Sequence, residues 1–250
     1  MTGETVILTG MILIASPMKE YDKRVEILTR ERGRISVFAQ GARKPNSTLS
    51  ACTIPFTFGE FQVYEGRNSY TLKSGVINNY FGNLADDYDC LCYASYFTDV
   101  VRYLSRENVE ADNEIILLYI TFRALQAKKV KNKLIRRIFE LRLLSIQGEG
   151  VELFECLKCK SKDAYDVYFQ EGGLICADCI AKDRNLQEAN HLSLSGDARY
   201  ALQYILASSP QKLYSFNVSD SVMGEINGFM KKYLARYMPH HFKTVEFLED

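Results

Sequence analysis

Two Cys-x-x-Cys pairs constrain the fold of this chain more than any other feature of its sequence. The pairs are Cys156/Cys159 and Cys176/Cys179, and sixteen residues separate them. Each pair places two thiolates on one tight turn, and two such turns face to face supply the four ligands of a closed, structural zinc site. The intervening segment alternates apolar and polar residues around Gly172-Gly173, which predicts a short hairpin. We therefore predict a zinc ribbon with one structural ion; four unligated buried cysteines are the alternative.

The same cysteines argue against catalysis at the metal, because four thiolates leave no open coordination position. Zinc deaminases carry Pro-Cys-x-x-Cys and His-x-Glu, and this chain has neither. The phosphate-binding, dinucleotide-binding, nucleophile-elbow and zinc-protease motifs are also missing from the sequence. We expect a binding protein with no catalytic residues, and an enzyme with an unrecognised site is the weaker alternative.

Cysteine usage and hydropathy bear on the compartment. Seven cysteines, four of them in metal-type spacing, do not resemble a disulfide framework, which indicates a reducing, cytoplasmic setting. Apolar runs such as "VILTGMILIA" are about half the length that a bilayer crossing needs. The opening "MTGE" lacks the pattern of a signal peptide. We expect a cytoplasmic protein that does not interact with membranes.

The first eighty residues read as strands with a period of two. Residues 24–42 predict a hairpin that turns at Gly33, and Gly59 is expected to form a bulge in a later strand. About five short antiparallel strands in such a span suit a small closed barrel. The oligonucleotide/oligosaccharide-binding (OB) barrel is the leading candidate.

From residue 81 the apolar period becomes helical, and the cysteine segment interrupts the helical pattern as an insertion. The prediction is an α+β chain whose N-terminal five-stranded OB barrel is followed by an all-helical domain with an inserted zinc ribbon. Its boundaries are a barrel at 1–80, a helical domain at 81–150 and 185–250, and a four-cysteine ribbon at 151–184.

Charge is segregated although the formal net charge is zero. Residues 1–80 carry ten Lys/Arg against seven Asp/Glu, and residues 81–116 carry two against eight. Residues 123–142 carry eight basic residues against one acidic residue. Segregation of this kind suits a polyanionic partner better than the neutral total does.

One basic cluster lies on the predicted barrel, around the hairpin and in the loop "GARKPNS". OB barrels bind single strands with cationic groove walls and aromatic platforms. Phe38 points away from the Ile35/Val37 face, so it either stacks on a base or packs against the helical domain. Solubility is the alternative role for the arginines at the turn. The predicted DNA-binding residues are Lys23, Arg24, Arg32, Arg34, Phe38, Arg43 and Lys44.

A second basic cluster is the segment "KKVKNKLIRR". Beside an apolar stripe it predicts either non-specific nucleic-acid binding or a groove for an acidic peptide that ends in an apolar residue. An ordinary solvated helix face is the third interpretation, although it would be unusually one-signed. The residues concerned are Lys128, Lys129, Lys131, Lys133, Arg136 and Arg137.

Several segments resemble the bacterial RecO family of recombination mediators. "GMILIASPMKEYDKRVEILTRERGRISVFAQGARKPNSTL" is similar to the family's opening strands, with its core at Thr29, Gly33, Gly41–Pro45 and Ser47. "FELRLLSIQG" at 139–148 resembles the helix before the family's zinc segment, and "GGLIC" is similar to the lead into its second cysteine pair.

The resemblance implies an OB barrel, a helical domain and a zinc ribbon in a DNA repair protein that acts during recombination. It implies binding of single- and double-stranded DNA and annealing of complementary strands. It also implies RecR and the acidic tail of single-stranded DNA-binding protein (SSB) as partners, with RecA loaded onto SSB-covered DNA. The alternative function is a zinc-ribbon/OB protein-interaction module in transcription or RNA handling.

Overall fold

The computed structural model describes residues 3–67 and 69–248, and β-strands dominate the first part of the chain. The outermost residues of the predicted ranges, 1–2 and 249–250, lie outside this description. The five strands are β1 (Glu4–Met18), β2 (Asp22–Thr29), β3 (Gly33–Ala39), β4 (Thr57–Glu65) and β5 (Tyr70–Tyr80). They close into a barrel in the order β1-β2-β3-β5-β4, with β3 and β5 parallel and the other neighbours antiparallel. The predicted OB barrel is confirmed.

The core of the barrel follows the predicted alternation. Ile35, Val37 and Ala39 of β3 are buried, while the residues between them are partly exposed. Gly33 starts β3 with a φ of 63°, and a Cβ at this position would lie 2.1 Å from the carbonyl oxygen of Arg106. Glycine is required here because the backbone has a left-handed conformation and the loop that contains Arg106 packs directly against it. The predicted bulge is also present, as a register shift between Phe58 and Gly59.

Two helices complete the first of two compact units, which consists of residues 1–127 and 242–250. They are α1 (Tyr88–Leu104) and α2 (Asp112–Ala127), with short 3-10 helices at Ala51–Thr53, Gly82–Asp86 and Lys243–Phe247. Aromatic rings attach α2 to the barrel: Phe58 and Phe81 pack on Tyr119, and Phe56 packs on Phe122. The side chain of Asp87 caps α1 by accepting from the backbone N–H of Cys90.

The second unit spans 128–241 and contains the cysteine segment. Its elements are α3 (Asn132–Ile146), β6 (Asp166–Tyr168), β7 (Gly173–Ile175), α4 (Ala177–Ala181), α5 (Arg184–Glu188), β8 (Leu192–Ser193), α6 (Gly196–Ala207) and α7 (Asp220–Tyr237). The predicted hairpin is β6–β7, and β8 joins it as a third strand that periodicity does not predict. The long helices α3, α6 and α7 pack on one another.

The compact units group α1 and α2 with the barrel, and α3 with the ribbon and the later helices. Independent domains at 1–80, at 81–150 with 185–250, and at 151–184 stay a prediction. Within the described ranges, no helix combines the length and apolar character that crossing a bilayer demands.

Candidate nucleic-acid interface and metal cluster

The end of the barrel formed by the start of β2 and the following loop brings three predicted cations together. The loop of Arg43 and Lys44 is fixed by its backbone, since the N–H of Arg43 donates to the carbonyl of Tyr21 at 2.9 Å. Lys23 donates from Nζ to Thr53 Oγ1 at 3.1 Å. Partial burial and the nearby charge of Arg43 lower the pKa of Lys23 below its ordinary value. Like charges are therefore held close together here, and we call Lys23, Arg43 and Lys44 the barrel cluster.

The carboxylate beside the barrel cluster, that of Asp22, binds a backbone N–H group. Asp22 Oδ1 accepts from the backbone N–H of Gly41 at 2.8 Å, and Gly41 has a φ of 68°. Asp22 thereby holds the turn that presents Arg43 and Lys44. The described residues place no carboxylate within ion-pairing distance of Lys23, Arg43 or Lys44.

Tyr21 is a residue of this region that the sequence analysis missed. It lies in the turn between β1 and β2 and is 42% exposed. Lys44 Nζ lies 5.9 Å from the centroid of its ring. The available signal was an aromatic residue in a polar turn two positions before Lys23. The ring places a flat, exposed surface directly beside the cations.

Arg24 and Phe38 face each other across the β2–β3 ladder. Arg24 is exposed and donates from Nε to Ser36 Oγ at 2.8 Å. Phe38 is half-buried on the outer face, and within the described residues it has no ring–ring contact. Base stacking and packing therefore both stay open as predictions for Phe38.

The arginines at the other end of the hairpin are paired with carboxylates. Arg32 lies 3.8 Å from Glu65, and Arg34 Nη1 lies 3.1 Å from Glu26 Oε2. Arg102 of α1 also binds Glu26, at 3.0 Å and 3.1 Å. Backbone hydrogen bonds in both directions between residues 106–111 and residues 30–34 cover the turn itself. The structure thus separates Arg32 and Arg34 from the barrel cluster.

The second predicted cluster divides into two groups. Lys128 and Lys129 are exposed before α3, and Lys133 is half-buried in its first turn. Lys131 pairs with Asp220 at 2.8 Å, with both side chains largely exposed. These four residues, 128, 129, 131 and 133, form what we call the lysine segment.

Arg136 and Arg137 instead point into the second unit. Both bind Glu140 at 2.9 Å, and the side chain of Glu140 is fully buried. Arg137 also donates from Nε to Asn227 of α7 at 2.7 Å. This buried network connects α3 to α7 and leaves little of either arginine exposed.

A cavity of about 510 Å³ lies between α6, the start of α7 and the loop before α7. Its lining is mixed: aromatic and aliphatic side chains such as Tyr200, Phe216 and Val222 alternate with polar residues that include Asp197 and Ser219. The adjoining residue Asn217 donates from Nδ2 to the carbonyl of Lys129 at 3.1 Å. The cavity therefore adjoins the lysine segment, although no sequence motif indicated it.

The four cysteines meet in the second unit, as predicted. Their sulfur atoms all lie within 4.8 Å of one another, so together they can hold one metal ion. Burial raises the pKa of Cys156, but backbone N–H groups of Cys159, Cys176 and Lys158 outweigh it and lower the pKa to about 6. The thiolate form that a metal needs is thus favoured at Cys156, whereas hydrogen bonds with Cys159 and Cys176 raise the pKa of Cys179 to about 12.

These features define an OB-barrel protein with a ribbon whose four cysteines are placed to hold one metal ion. Residues 1–81 match the family model described as Recombination protein O N terminal, and residues 85–246 match Recombination protein O C terminal. The DNA repair protein RecO of Acetivibrio thermocellus is 30% identical over 244 residues, covering 96% of this chain and 95% of that protein. DNA repair protein RecO of Clostridium acetobutylicum is 28% identical over 243 residues, with 96% and 95% covered. The chain belongs to the RecO family, which confirms the resemblance.

Proposed function

We propose that this protein is a recombination mediator that binds single- and double-stranded DNA and anneals complementary strands. In this proposal it acts with RecR to help load RecA onto DNA covered by SSB. Membership of the RecO family supports a role in DNA repair. The observation that carries DNA binding is the barrel cluster, in which Lys23 lies near Arg43, Lys44 lies over Tyr21, and no carboxylate among the described residues pairs with any of the three cations.

Crowded cations suit phosphate binding for an electrostatic reason. Partial burial and, to a lesser extent, the proximity of Arg43 make the charged form of Lys23 less favourable in the free protein. A phosphate between them would relieve this repulsion and release counterions from the DNA. Neutralised phosphates on two strands repel each other less, so the same contacts would assist annealing. Tyr21 and Phe38 would add stacking surfaces for unpaired bases.

Among the predicted DNA-binding residues, the proposal gives phosphate contacts to Lys23, Arg24, Arg43 and Lys44. Arg32 and Arg34 would act chiefly inside the protein, because Glu65 and Glu26 already balance their charges. They would contribute to DNA binding only through the overall electrostatic field of the barrel.

Exchange of Arg43 and Lys44 for alanine tests this assignment. Each lost phosphate contact should lower the slope of log affinity against log salt by about 0.9 for duplex and about 0.7 for single strands. Fluorescence anisotropy across a salt series measures the slope. Arg67→Ala with Lys243→Ala removes two other exposed cations of the same unit and should leave the slope nearly unchanged. An unaltered slope in the Arg43/Lys44 variant would refute the proposed phosphate contacts.

A strand-annealing assay without ATP separates a mediator from a protein-interaction module in transcription or RNA handling. The purified full-length chain should accelerate pairing of complementary oligonucleotides, and the Arg43/Lys44 variant should accelerate it less. If the wild-type protein binds DNA but does not accelerate pairing, the annealing part of the proposal is refuted and the DNA-binding part is not.

For the metal we propose a single structural zinc ion held by Cys156, Cys159, Cys176 and Cys179. Four sulfur donors at mutual distances under 4.8 Å fit the tetrahedral, closed site that zinc adopts with thiolates. The metal would hold the two turns that flank β6 and β7.

For the lysine segment we propose binding of the acidic SSB tail. The lysines would pair with carboxylates, while the rings of Tyr200, Tyr204 and Phe216 in the adjoining cavity would contact an apolar side chain at the end of the peptide. Arg136 and Arg137 would support this site from within, since Glu140 holds both.

The corresponding test uses an acidic peptide that ends in an apolar residue. Lys129→Glu should weaken peptide binding by roughly tenfold, because it exchanges an attraction for a repulsion of about 1 kcal/mol or more. Lys231→Glu, at an exposed position of α7, is the matched charge change. Titration calorimetry measures the affinity of both variants for the peptide. Equal losses of affinity would mean that the lysine segment acts only through the overall charge of the unit and does not form a specific site.

A further inference from the structure

A surface on the second unit that the proposed function does not use is centred on Arg199 of α6. This arginine is only 9% exposed, and its guanidinium donates to three backbone carbonyls: Leu153 at 3.2 Å, Lys162 at 2.7 Å and Phe154 at 2.8 Å. Within residues 3–67 and 69–248, no carboxylate pairs with it. Among the described residues, carbonyl dipoles rather than an ion pair therefore surround the charge of Arg199.

Arg199 contacts two exposed aromatic residues, one through its ring and the other through its backbone. The ring centroid of Tyr165 lies 5.2 Å from Cζ of Arg199, and the ring is 40% exposed. Phe154, whose carbonyl Arg199 binds, is 44% exposed. One buried side chain thus fixes the backbone of one ring and packs against the other.

The first cysteine turn adds lysines to the same surface. Lys158, Lys160 and Lys162 alternate along it, and the turn is closed by the N–H of Lys160 donating to the carbonyl of Cys156 at 2.9 Å. Lys160 pairs with Glu155 at 2.9 Å. Lys158 and Lys162 have no such carboxylate within the part of the chain that the structure describes. Asp163 is the opposing charge next to Lys162 in the sequence.

We infer that Phe154, Lys158, Lys162, Tyr165 and Arg199 form a second contact for single-stranded DNA, here called the Arg199 surface. The inference rests on the proposed DNA binding and adds a site to it. Exposed rings stack on bases, and unpaired lysines contact phosphates, which is the combination that single-strand binders use. Duplex bases are already stacked on one another, so the rings should favour single strands over duplex. The ribbon then takes part in binding as well as in holding the fold.

Phe154→Ala is the direct test, because it removes a ring and leaves the Arg199 contact to the backbone carbonyl intact. A lost stacking contact of about 1 kcal/mol corresponds to roughly fivefold weaker binding of oligothymidine, with duplex binding unchanged. Phe247→Ala removes another exposed ring, from the other unit, and should change neither. Equal losses for single strand and duplex, or no loss at all, would overturn the Arg199 surface.

Lys158→Ala with Lys162→Ala tests the phosphate contacts. The salt slope for oligothymidine should fall by about 0.7 for each contact removed. Asp163→Asn should tighten single-strand binding, because it removes the opposing charge, whereas Lys231→Ala should leave the slope unchanged. Loss of binding to an acidic peptide with DNA binding intact would assign the surface to a protein partner and refute the inference.

The Arg43/Lys44 variant distinguishes a failure of the Arg199 surface from a failure of the proposed function. If wild-type protein binds no DNA, the proposed function fails. If the Arg43/Lys44 variant loses DNA affinity while Phe154→Ala does not, only the Arg199 surface fails. Photocrosslinking of the full chain to oligonucleotides that contain 5-iododeoxyuridine gives an independent readout. Adducts on Phe154 or Tyr165 are expected, and adducts confined to the barrel would overturn the inference.

Discussion

The two ends of the β2–β3 hairpin carry the same kind of side chain in opposite electrostatic situations. At one end, Arg32 and Arg34 face Glu65 and Glu26. At the other end, burial and the nearby charge of Arg43 together lower the pKa of Lys23. The difference teaches that a cation indicates a binding site when its neighbours leave its charge unbalanced, and that its presence in a basic stretch is not enough.

The second unit repeats the contrast within one basic segment. Arg136 and Arg137 share the buried carboxylate of Glu140, whereas the lysine segment lies at the surface. Charge reversal at the two arginines would set acidic side chains against Glu140. Such a variant would test folding and say little about a peptide partner, which is why Lys129 is the better position to change.

The cysteine cluster should give the largest effect, because in the proposed site one metal ion holds four cysteine side chains together. Removing the metal should destabilise the second unit by about 4 kcal/mol if free zinc stands near a thousand times its dissociation constant. Thermal unfolding with and without a chelator, alongside metal analysis of the purified chain, measures this. We expect one zinc ion per chain.

Cys156→Ser should reproduce the effect of the chelator and make the protein insensitive to it. Cys90→Ser changes a buried cysteine in the other unit and serves as the control, because it should leave the metal content unchanged. A metal-free wild-type protein of unchanged stability would show that the four thiols act as ordinary core residues.

Glu140 should give the next largest effect. Glu140→Ala leaves Arg136 and Arg137 with buried, unbalanced charges and should cost about 3 kcal/mol of unfolding free energy. Glu188→Ala breaks the Arg184–Glu188 pair, which has the same spacing on an exposed helix, and should cost less than about 0.5 kcal/mol. Urea denaturation of both variants gives the comparison, and similar costs would mean that burial does not separate the two pairs.

Part of this contrast could be predicted from the sequence. Glu140 stands four residues after Arg136 and three after Arg137, the helical spacings at which side chains meet. The barrel, the hairpin turn at Gly33 and the bulge at Gly59 follow from local pattern and from the conformational freedom of glycine. The cysteine spacing likewise predicts the cluster of four sulfur atoms.

The rest depends on contacts between distant parts of the chain. Arg102 and Glu26 are 76 residues apart, and no periodicity connects them. The cavity beside Lys129 and the position of Arg199 under Phe154 and Tyr165 also arise only when helices pack. Local pattern therefore predicts which segments carry charge, and tertiary packing decides which of those charges remain available to a partner.

The smallest of the stability effects concerns the paired end of the hairpin and depends on pH. Burial raises the pKa of Glu26, but hydrogen bonds and charges from Arg102 and Arg34 outweigh it and lower the pKa. The stabilisation is therefore fully present above the unfolded pKa of about 4.3 and is lost as pH falls through the lowered folded value. Glu26→Gln should cost about 2 kcal/mol at pH 7, and the difference from wild type should shrink below about pH 4. Urea unfolding at a series of pH values measures it. Glu60→Gln, at an exposed position of β4, is the control, and a pH-independent difference would mean that packing, and not the ion pairs, gives Glu26 its role.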